Sequence, residues 1–246
     1  MIDELNRDGI VLADQKLSGL QLFDIWDFLM PRPIYMGGHV MRYANMGSVT
    51  TEDYLKDAAA HAHHALGCYD FETAVFCPHL LEAALGYIDF AERYLGQEPI
   101  LYSMNIWWSF AGGIVKPETQ EFHRDPDDVK FVAMFFFITD TSMEGGHEFQ
   151  AGTHNGSEIS ETVRIEDGSG TIFFADTRGF HRGMKPISSG RLAAWARFGV
   201  SDPPATYSGD GLAPVATFAY GKMSERERRV ARLIVKPYSD GSNCHS

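Results

Sequence analysis

The segment Glu121-Phe122-His123-Arg124-Asp125 carries two metal-binding side chains at a spacing that brings them together. Alternate side chains of an extended chain point the same way, so His123 and Asp125 can reach one cation. A third donor must come from elsewhere. His181 fits: it follows the apolar run Thr171 to Phe174 and the stretch Asp176-Thr177-Arg178-Gly179-Phe180. Two imidazoles and one carboxylate on one face of a metal leave three positions open. That is the arrangement used to activate oxygen at non-haem iron(II). The open positions matter because a co-substrate and dioxygen must both bind there.

Arg191 stands ten residues beyond His181 and opens an apolar strand. One strand down, a turn from Pro186 to Gly190 and one strand up would return it to the metal. A guanidinium there can hold a carboxylate bidentately. 2-Oxoglutarate has such a carboxylate at the end distant from its metal-chelating keto acid, which accounts for both the arginine and its spacing. Each residue alone has a plain alternative. His123 fits a charged surface loop, His181 a turn, and Arg191 a solvated strand start. The argument lies in the order: His-x-Asp, apolar strand, Gly-Gly turn, strand, His, then Arg.

The rest of the chain must position these groups. Its 246 residues suit one domain with an ample core. A formal net charge of -12 disfavours nucleic acid or an anionic membrane surface as partner. The start, MIDELNRDGI, lacks the basic and apolar regions of a signal peptide. The longest apolar run, Phe131 to Ile138, is too short to span a bilayer. Three cysteines, Cys68, Cys77 and Cys244, show no paired spacing. A reducing cytoplasm is the expected setting.

The first part reads as helix-rich and the second as strand-rich. Gly9 to Leu12 reads as an edge strand. Leu17 to Leu29 has helical spacing and stops before Pro31 and Pro33. Thr50 and Thr51 open an alanine- and histidine-rich helix to about Leu66, and Pro78 opens another, His79 to Leu95, ended by Gly96. From Pro99 the period becomes two. Strands are expected at Leu101 to Phe110, Phe131 to Ile138, His147 to Ala151, Thr162 to Ile165, Thr171 to Phe174, Arg182 to Lys185 and Arg191 to Phe198. With the stretch around Phe122 this makes a sandwich or barrel. A helix capped by Ser224 is expected through Val235. The chain is thus expected to be a single domain, with about 1–98 as helical support and substrate-side elements, about 99–200 as the barrel core and 201–246 as a C-terminal extension.

Other features are less specific. His61 and His64 share a helix face, but no carboxylate completes a second metal set, and an exposed polar helix explains them. His154 fits a turn. Gly168-Ser169-Gly170 lacks the helix of a phosphate loop and reads as a hairpin turn. On the strand Leu101 to Phe110, Asn105, Trp107 and Ser109 share a face. If that face looks inward, Asn105 can hydrogen-bond a co-substrate, although Trp107 fits a plain core role equally well. Phe135 is placed to pack on 2-oxoglutarate. Gln120, Trp107 and Arg197 are candidates for substrate contact.

These motifs resemble the phytanoyl-CoA dioxygenase family of 2-oxoglutarate oxygenases along nearly the whole chain. Asp8-Gly9-Ile10-Val11 is similar to the family's opening turn and strand. Tyr94-Leu95-Gly96 and Pro99-Ile100-Leu101-Tyr102 resemble its helix and first barrel strand. Phe122 to Asp125, then Gly145-Gly146 and Gly152-Thr153-His154, resemble the His-x-Asp strand and the loop written Gly-x-Leu-x-x-x-Pro-Gly-Ser-His. Ala151 stands where that loop has proline. Phe180-His181-Arg182-Gly183 and Arg191 resemble the last histidine and the 2-oxoglutarate arginine. The resemblance implies a double-stranded β-helix: a jelly-roll, cupin-like barrel, mainly β with flanking helices (α+β), with N-terminal helices on one side. It implies iron(II), 2-oxoglutarate and dioxygen as cofactor and co-substrates, with succinate and carbon dioxide released. Related halogenases have a small residue where this chain has Asp125, so hydroxylation or another oxidation is favoured over halogenation.

Two rival classes stay open. One is a cupin-type dioxygenase or isomerase without 2-oxoglutarate, against which Arg191 argues. The other is a non-catalytic jelly-roll binding protein, against which the intact triad argues. The expected substrate is a small metabolite, such as an amino acid or a natural-product intermediate.

Overall fold

The structure is a computed structural model that describes residues 1–36, 47–61, 64–111, 120–141, 145–159, 161–187, 190–205, 213–215 and 217–237. Its helices are α1 (Ile2–Asp8), α2 (Gly19–Leu29), α3 (Thr51–Lys56), α4 (Phe71–Phe76), α5 (Leu80–Gly86), α6 (Ile88–Leu95), α7 (Thr217–Lys222) and α8 (Glu225–Val230). Its strands are β1 (Ile10–Leu12), β2 (Pro33–Met36), β3 (Ser48–Thr50), β4 (Leu66–Cys68), β5 (Ile100–Ser109), β6 (Phe131–Phe137), β7 (His147–Gln150), β8 (Thr162–Ile165), β9 (Ile172–Ala175), β10 (His181–Gly183), β11 (Arg191–Gly199), β12 (Ala213–Val215) and β13 (Val235–Pro237).

An eight-stranded sheet runs in the order β1-β9-β6-β11-β5-β4-β2-β3, and a three-stranded sheet in the order β10-β7-β8. Every pairing in both is antiparallel. Parity along the strands sorts the side chains of the large sheet into two layers. Met104, Ile106, Trp108, Val132, Met134, Phe136, Phe174, Leu192, Ala194 and Phe198 pack outward into one large core with Leu5, Ile25, Leu29, Leu80, Ala84, Ala91 and Val230 of the helices. Phe135, Phe137, Phe173, Ala175 and Ala193 face inward and meet Phe149, Val163 and Ile165 of the small sheet. The result is the expected jelly roll with helices on one side. Among the described residues no strand pairing joins the two sheets, which meet through their side chains.

β6 is apolar on both faces because it serves both cores, as expected of Phe131 to Ile138. α2 begins after Ser18, whose hydroxyl accepts from the Gln21 N–H while the Gln21 side chain returns to the Ser18 N–H, and it buries Ile25 and Leu29. Gly96, at φ 85°, ends α6 as the sequence predicts.

Several boundaries differ from the sequence reading. The alanine- and histidine-rich helix stops at Lys56. A short 3₁₀ turn, Ala58–His61, follows, and Leu66 pairs with Ser109 in β4 instead. Helix propensity without an apolar stripe to bury does not sustain a helix. The helix over His79 to Leu95 is broken at Tyr87 into α5 and α6. The expected strand Arg182 to Lys185 lies earlier, at β10, because His181 is itself paired. Gly168-Ser169-Gly170 does not close a hairpin: it carries the chain from β8 in the small sheet to β9 in the large one. Within residues 1–98 the edge strand read at Gly9 to Leu12 is β1, and β2, β3 and β4, which the sequence reading did not expect, join the large sheet too. Ser224 caps α8 through a capping box, but the helix ends at Val230 and Val235 starts β13, paired with β12.

No helix among the described residues is long and apolar enough to cross a membrane. Phe174 fixes the sheet to the helices, with Phe90 at 4.4 Å and Tyr87 at 5.1 Å between ring centroids. Phe174→Ala is expected to lower stability by ~3–5 kcal/mol in a denaturant titration. Leu20→Ala on the exposed face of α2 should change it by less than ~0.5 kcal/mol.

Candidate metal centre

His123 and His181 are brought together by the backbone. Each donates its N–H to the other's carbonyl at 3.0 Å, an antiparallel bridge that adds one residue to the small sheet beside β10. Residues directly opposite in such a pair project to the same face. Their rings lie 4.2 Å apart between centroids. The Asp125 N–H donates to the Thr177 carbonyl at 2.8 Å, and the Arg124 guanidinium to the Arg178 carbonyl at 2.9 Å. The His-x-Asp segment is therefore pinned along the loop that precedes His181. That loop is held from below by buried Asp176, which accepts from Tyr94 Oη at 2.5 Å and from Arg178 Nε at 2.9 Å and Nη2 at 2.6 Å.

The ligand atoms of His123, Asp125 and His181 all lie within 4.8 Å of one another. Asp125 Oδ1 is 3.7 Å from His123 Nε2, and Oδ2 is 3.7 Å from His181 Nε2. Nδ1 of His123 faces the Glu121 carbonyl at 2.9 Å, and Nδ1 of His181 faces the Gly179 carbonyl at 3.0 Å. With the proton on Nδ1, each ring presents its Nε2 lone pair to a shared point. Burial pushes His181 down to about 4, against the opposing pull of Asp125, so it is neutral at pH 7. Burial acts to raise the Asp125 carboxyl, but the Arg197 guanidinium beside it wins and holds it below the usual carboxylate range. The set offers two imidazole nitrogens and one carboxylate oxygen, a fit for a first-row divalent ion.

The structure places the other sequence candidates as follows. Arg197 donates from Nη2 to Asp125 Oδ2 at 2.9 Å and pairs through Nη1 with Asp127 Oδ2 at 3.2 Å. Its terminal nitrogens are thus engaged by protein carboxylates, and it orients Asp125 where the sequence reading had it meet substrate. Arg191 enters the interior from the first position of β11. Its Nη1 donates to the carbonyls of Gly145 and Gly146, both at 2.7 Å, and its Nη2 to Ser109 Oγ at 2.9 Å. It packs so tightly on Gly183 that a Cβ there would collide with Nη2. Burial lowers Arg191 to about 10, still a cation at pH 7, yet it pairs with no carboxylate among the described residues and its Nε has no partner.

Asn105 and Trp107 do share the inward face, opposite Trp195 and Ala193. Asn105 Nδ2 donates to Ser103 Oγ at 2.7 Å. Trp107 packs edge-on against Trp195 at 4.9 Å between centroids, and neither indole N–H finds an acceptor among the described residues. Phe135 lies on this face too, stacked on Phe173 at 4.8 Å. Gln120 is buried, with both amide atoms unpaired among the described residues. His154 sits in a turn with its Nε2 3.2 Å from the Asn6 carbonyl, as expected. His147 was passed over in the sequence, though its place two residues before Phe149 gives it the inward parity.

No family model matches this chain, and no curated protein matches it in sequence. Solved structures match in fold. One is described as the non-heme alpha-ketoglutarate-dependent carbocyclase SnoK from nogalamycin biosynthesis, with TM-score 0.53 and 14% identity over 80% of this chain and 81% of that one. Another is the non-heme alpha-ketoglutarate-dependent epimerase SnoN from the same biosynthesis, with TM-score 0.52 and 13% identity over 80% and 78%. A third is EvdO2 from Micromonospora carbonacea var. aurantiaca, complexed with 2-oxoglutarate, with TM-score 0.51 and 13% identity over 82% and 92%. At such identities the likeness establishes the fold.

Each of His123→Ala, Asp125→Ala and His181→Ala is expected to lose stoichiometric iron(II) binding while keeping the wild-type circular dichroism spectrum. Metal analysis after anaerobic loading and desalting checks this. A variant that retains a full equivalent of iron contradicts its place among the ligands.

Proposed function

We propose that this chain is an iron(II)- and 2-oxoglutarate-dependent oxygenase acting on a small-molecule metabolite. The observation that carries the proposal is Arg191: a buried guanidinium in the barrel interior, without a protein carboxylate among the described residues and with an unpaired Nε–H. A buried charge without a counter-ion is costly. A dicarboxylate reaching from the metal site to Arg191 supplies one. The interior reinforces this. The unpaired Nε1–H groups of Trp107 and Trp195 can only donate, so the cavity wants an acceptor-rich occupant. SnoK and SnoN, similar in fold, are described as alpha-ketoglutarate dependent, which supports the same co-substrate here.

In this reading His123, Asp125 and His181 hold iron(II), and Arg191 holds the distant carboxylate of 2-oxoglutarate. When bound together, iron(II), 2-oxoglutarate and dioxygen supply an oxidant for a substrate C–H bond, with release of succinate and carbon dioxide. The protein's own part is orientation. The paired histidines face their Nε2 atoms inward, Arg197 holds Asp125, and Phe135, Phe137 and Phe173 line the floor and exclude water. Asn105 and Phe135 border the co-substrate, and Trp107 and Gln120 face the substrate. Asp125 fills the position a halide would need, so hydroxylation is the favoured outcome. SnoK and SnoN are described as a carbocyclase and an epimerase, so ring closure or epimerisation is the alternative outcome at a site of the same kind.

Titration of the anaerobic iron(II) protein with 2-oxoglutarate, followed by the metal-to-ligand absorption band, tests this reading. If the carboxylate pair is worth ~2–5 kcal/mol, Arg191→Ala should bind ~30- to several-thousand-fold more weakly with iron affinity little changed. Arg191→Ala also strips the Gly145 and Gly146 carbonyls of their donor, so Arg191→Lys is the control. It keeps the charge, loses the fork and should fall between. Unchanged affinity in both variants would remove Arg191 from the co-substrate site.

A further inference from the structure

His147 opens β7 and turns inward. It is buried, and its Nε2 has no hydrogen-bond partner among the described residues. Its ring lies nearly parallel to that of His181, 17° between planes and 5.5 Å between centroids. Phe135 at 4.9 Å and Phe173 at 5.2 Å also pack on it. Its cross-strand partner is Gly183, the residue against which the Arg191 guanidinium is pressed. His147 therefore stands between His181 of the triad and the Gly183 contact of Arg191. An unpaired polar atom buried among phenylalanines costs stability, whereas an apolar side chain of similar size would not. A ligand is the partner that removes the cost.

A fourth metal ligand is not what the geometry offers, since the mutually close donor atoms are those of His123, Asp125 and His181 alone among the described residues. We infer that His147 Nε2–H donates a hydrogen bond to a carboxylate oxygen of the dicarboxylate co-substrate, a polar contact additional to the metal and Arg191. This rests on the reading of the site as one for iron(II) and 2-oxoglutarate. An acceptor-only ligand also suits the donor-only Arg191, Trp107 and Trp195 of the same inward face, and a neutral imidazole can present Nε2–H to it.

The test uses the full chain loaded anaerobically with iron(II) and titrated with 2-oxoglutarate, with iron affinity measured separately. His147→Leu and His147→Phe remove the donor and suit a buried site, and either folded variant suffices. Both should bind 2-oxoglutarate ~10- to 100-fold more weakly, as for a hydrogen bond to a charged group, with iron affinity unchanged. His147→Gln places an amide N–H at similar reach and should recover most of the loss. Wild-type 2-oxoglutarate affinity in a folded apolar variant overturns the inference. So does a parallel loss of iron, which would make His147 a support of the metal site. A wild-type protein that binds iron but not 2-oxoglutarate overturns the broader reading and this contact with it, an outcome visible before any variant is made.

Discussion

The two backbone hydrogen bonds between His123 and His181 are the constraint on which the site depends. They join segments far apart in the chain and set both imidazoles on one face without any metal. Two further bonds extend the register from Arg124 and Asp125 to Arg178 and Thr177. Asp125 then reaches the same point by strand alternation alone. The loop that offers these partners is shaped by Asp176, buried beneath it and held by Tyr94 and Arg178. The helical layer thus supports the metal site through α6, which carries Tyr94.

Two buried arginines divide the interior electrostatics. Arg197 is matched by Asp125 and Asp127, which overcome its burial and raise its proton affinity. Among the described residues Arg191 is solvated by carbonyls and a serine hydroxyl, and burial lowers it. Carbonyl dipoles satisfy hydrogen bonds without neutralising charge. Among the described residues the interior therefore holds one compensated cation at the ligand carboxylate and one without a carboxylate partner beyond it, and the proposed anion site rests on that asymmetry. The same asymmetry answers the cupin-type alternative, whose chemistry has no need of a carboxylate anchor.

The strands of the barrel were legible because each serves a buried face. Phe131 to Phe137 reads as apolar throughout, and β8, Thr162–Ile165, lies where its flanking turn residues put it. The triad was legible because strand alternation and ligand chemistry are local rules. Other parts were not. β2, β3 and β4 are three or four residues each and owe their form to pairing with longer strands, which leaves little periodicity to read. Arg197 and Arg191 share the inward face of β11, and nothing in the sequence says which meets a protein carboxylate. That depends on Asp127, which approaches from another segment. His147 was obscured because a lone histidine in a short strand has the same pattern whether it faces water or a cavity.

The central claim is that the barrel interior joins an iron(II) site to a 2-oxoglutarate site. It is tested most directly by whether the iron-loaded chain consumes 2-oxoglutarate in air. The measurement is succinate formed per mole of protein with and without iron(II), alone and across a panel of small metabolites. The account predicts iron-dependent succinate formation, absent in His181→Ala and accelerated by at least one metabolite class. A chain that holds one equivalent of iron(II) yet leaves 2-oxoglutarate intact under every condition would contradict it.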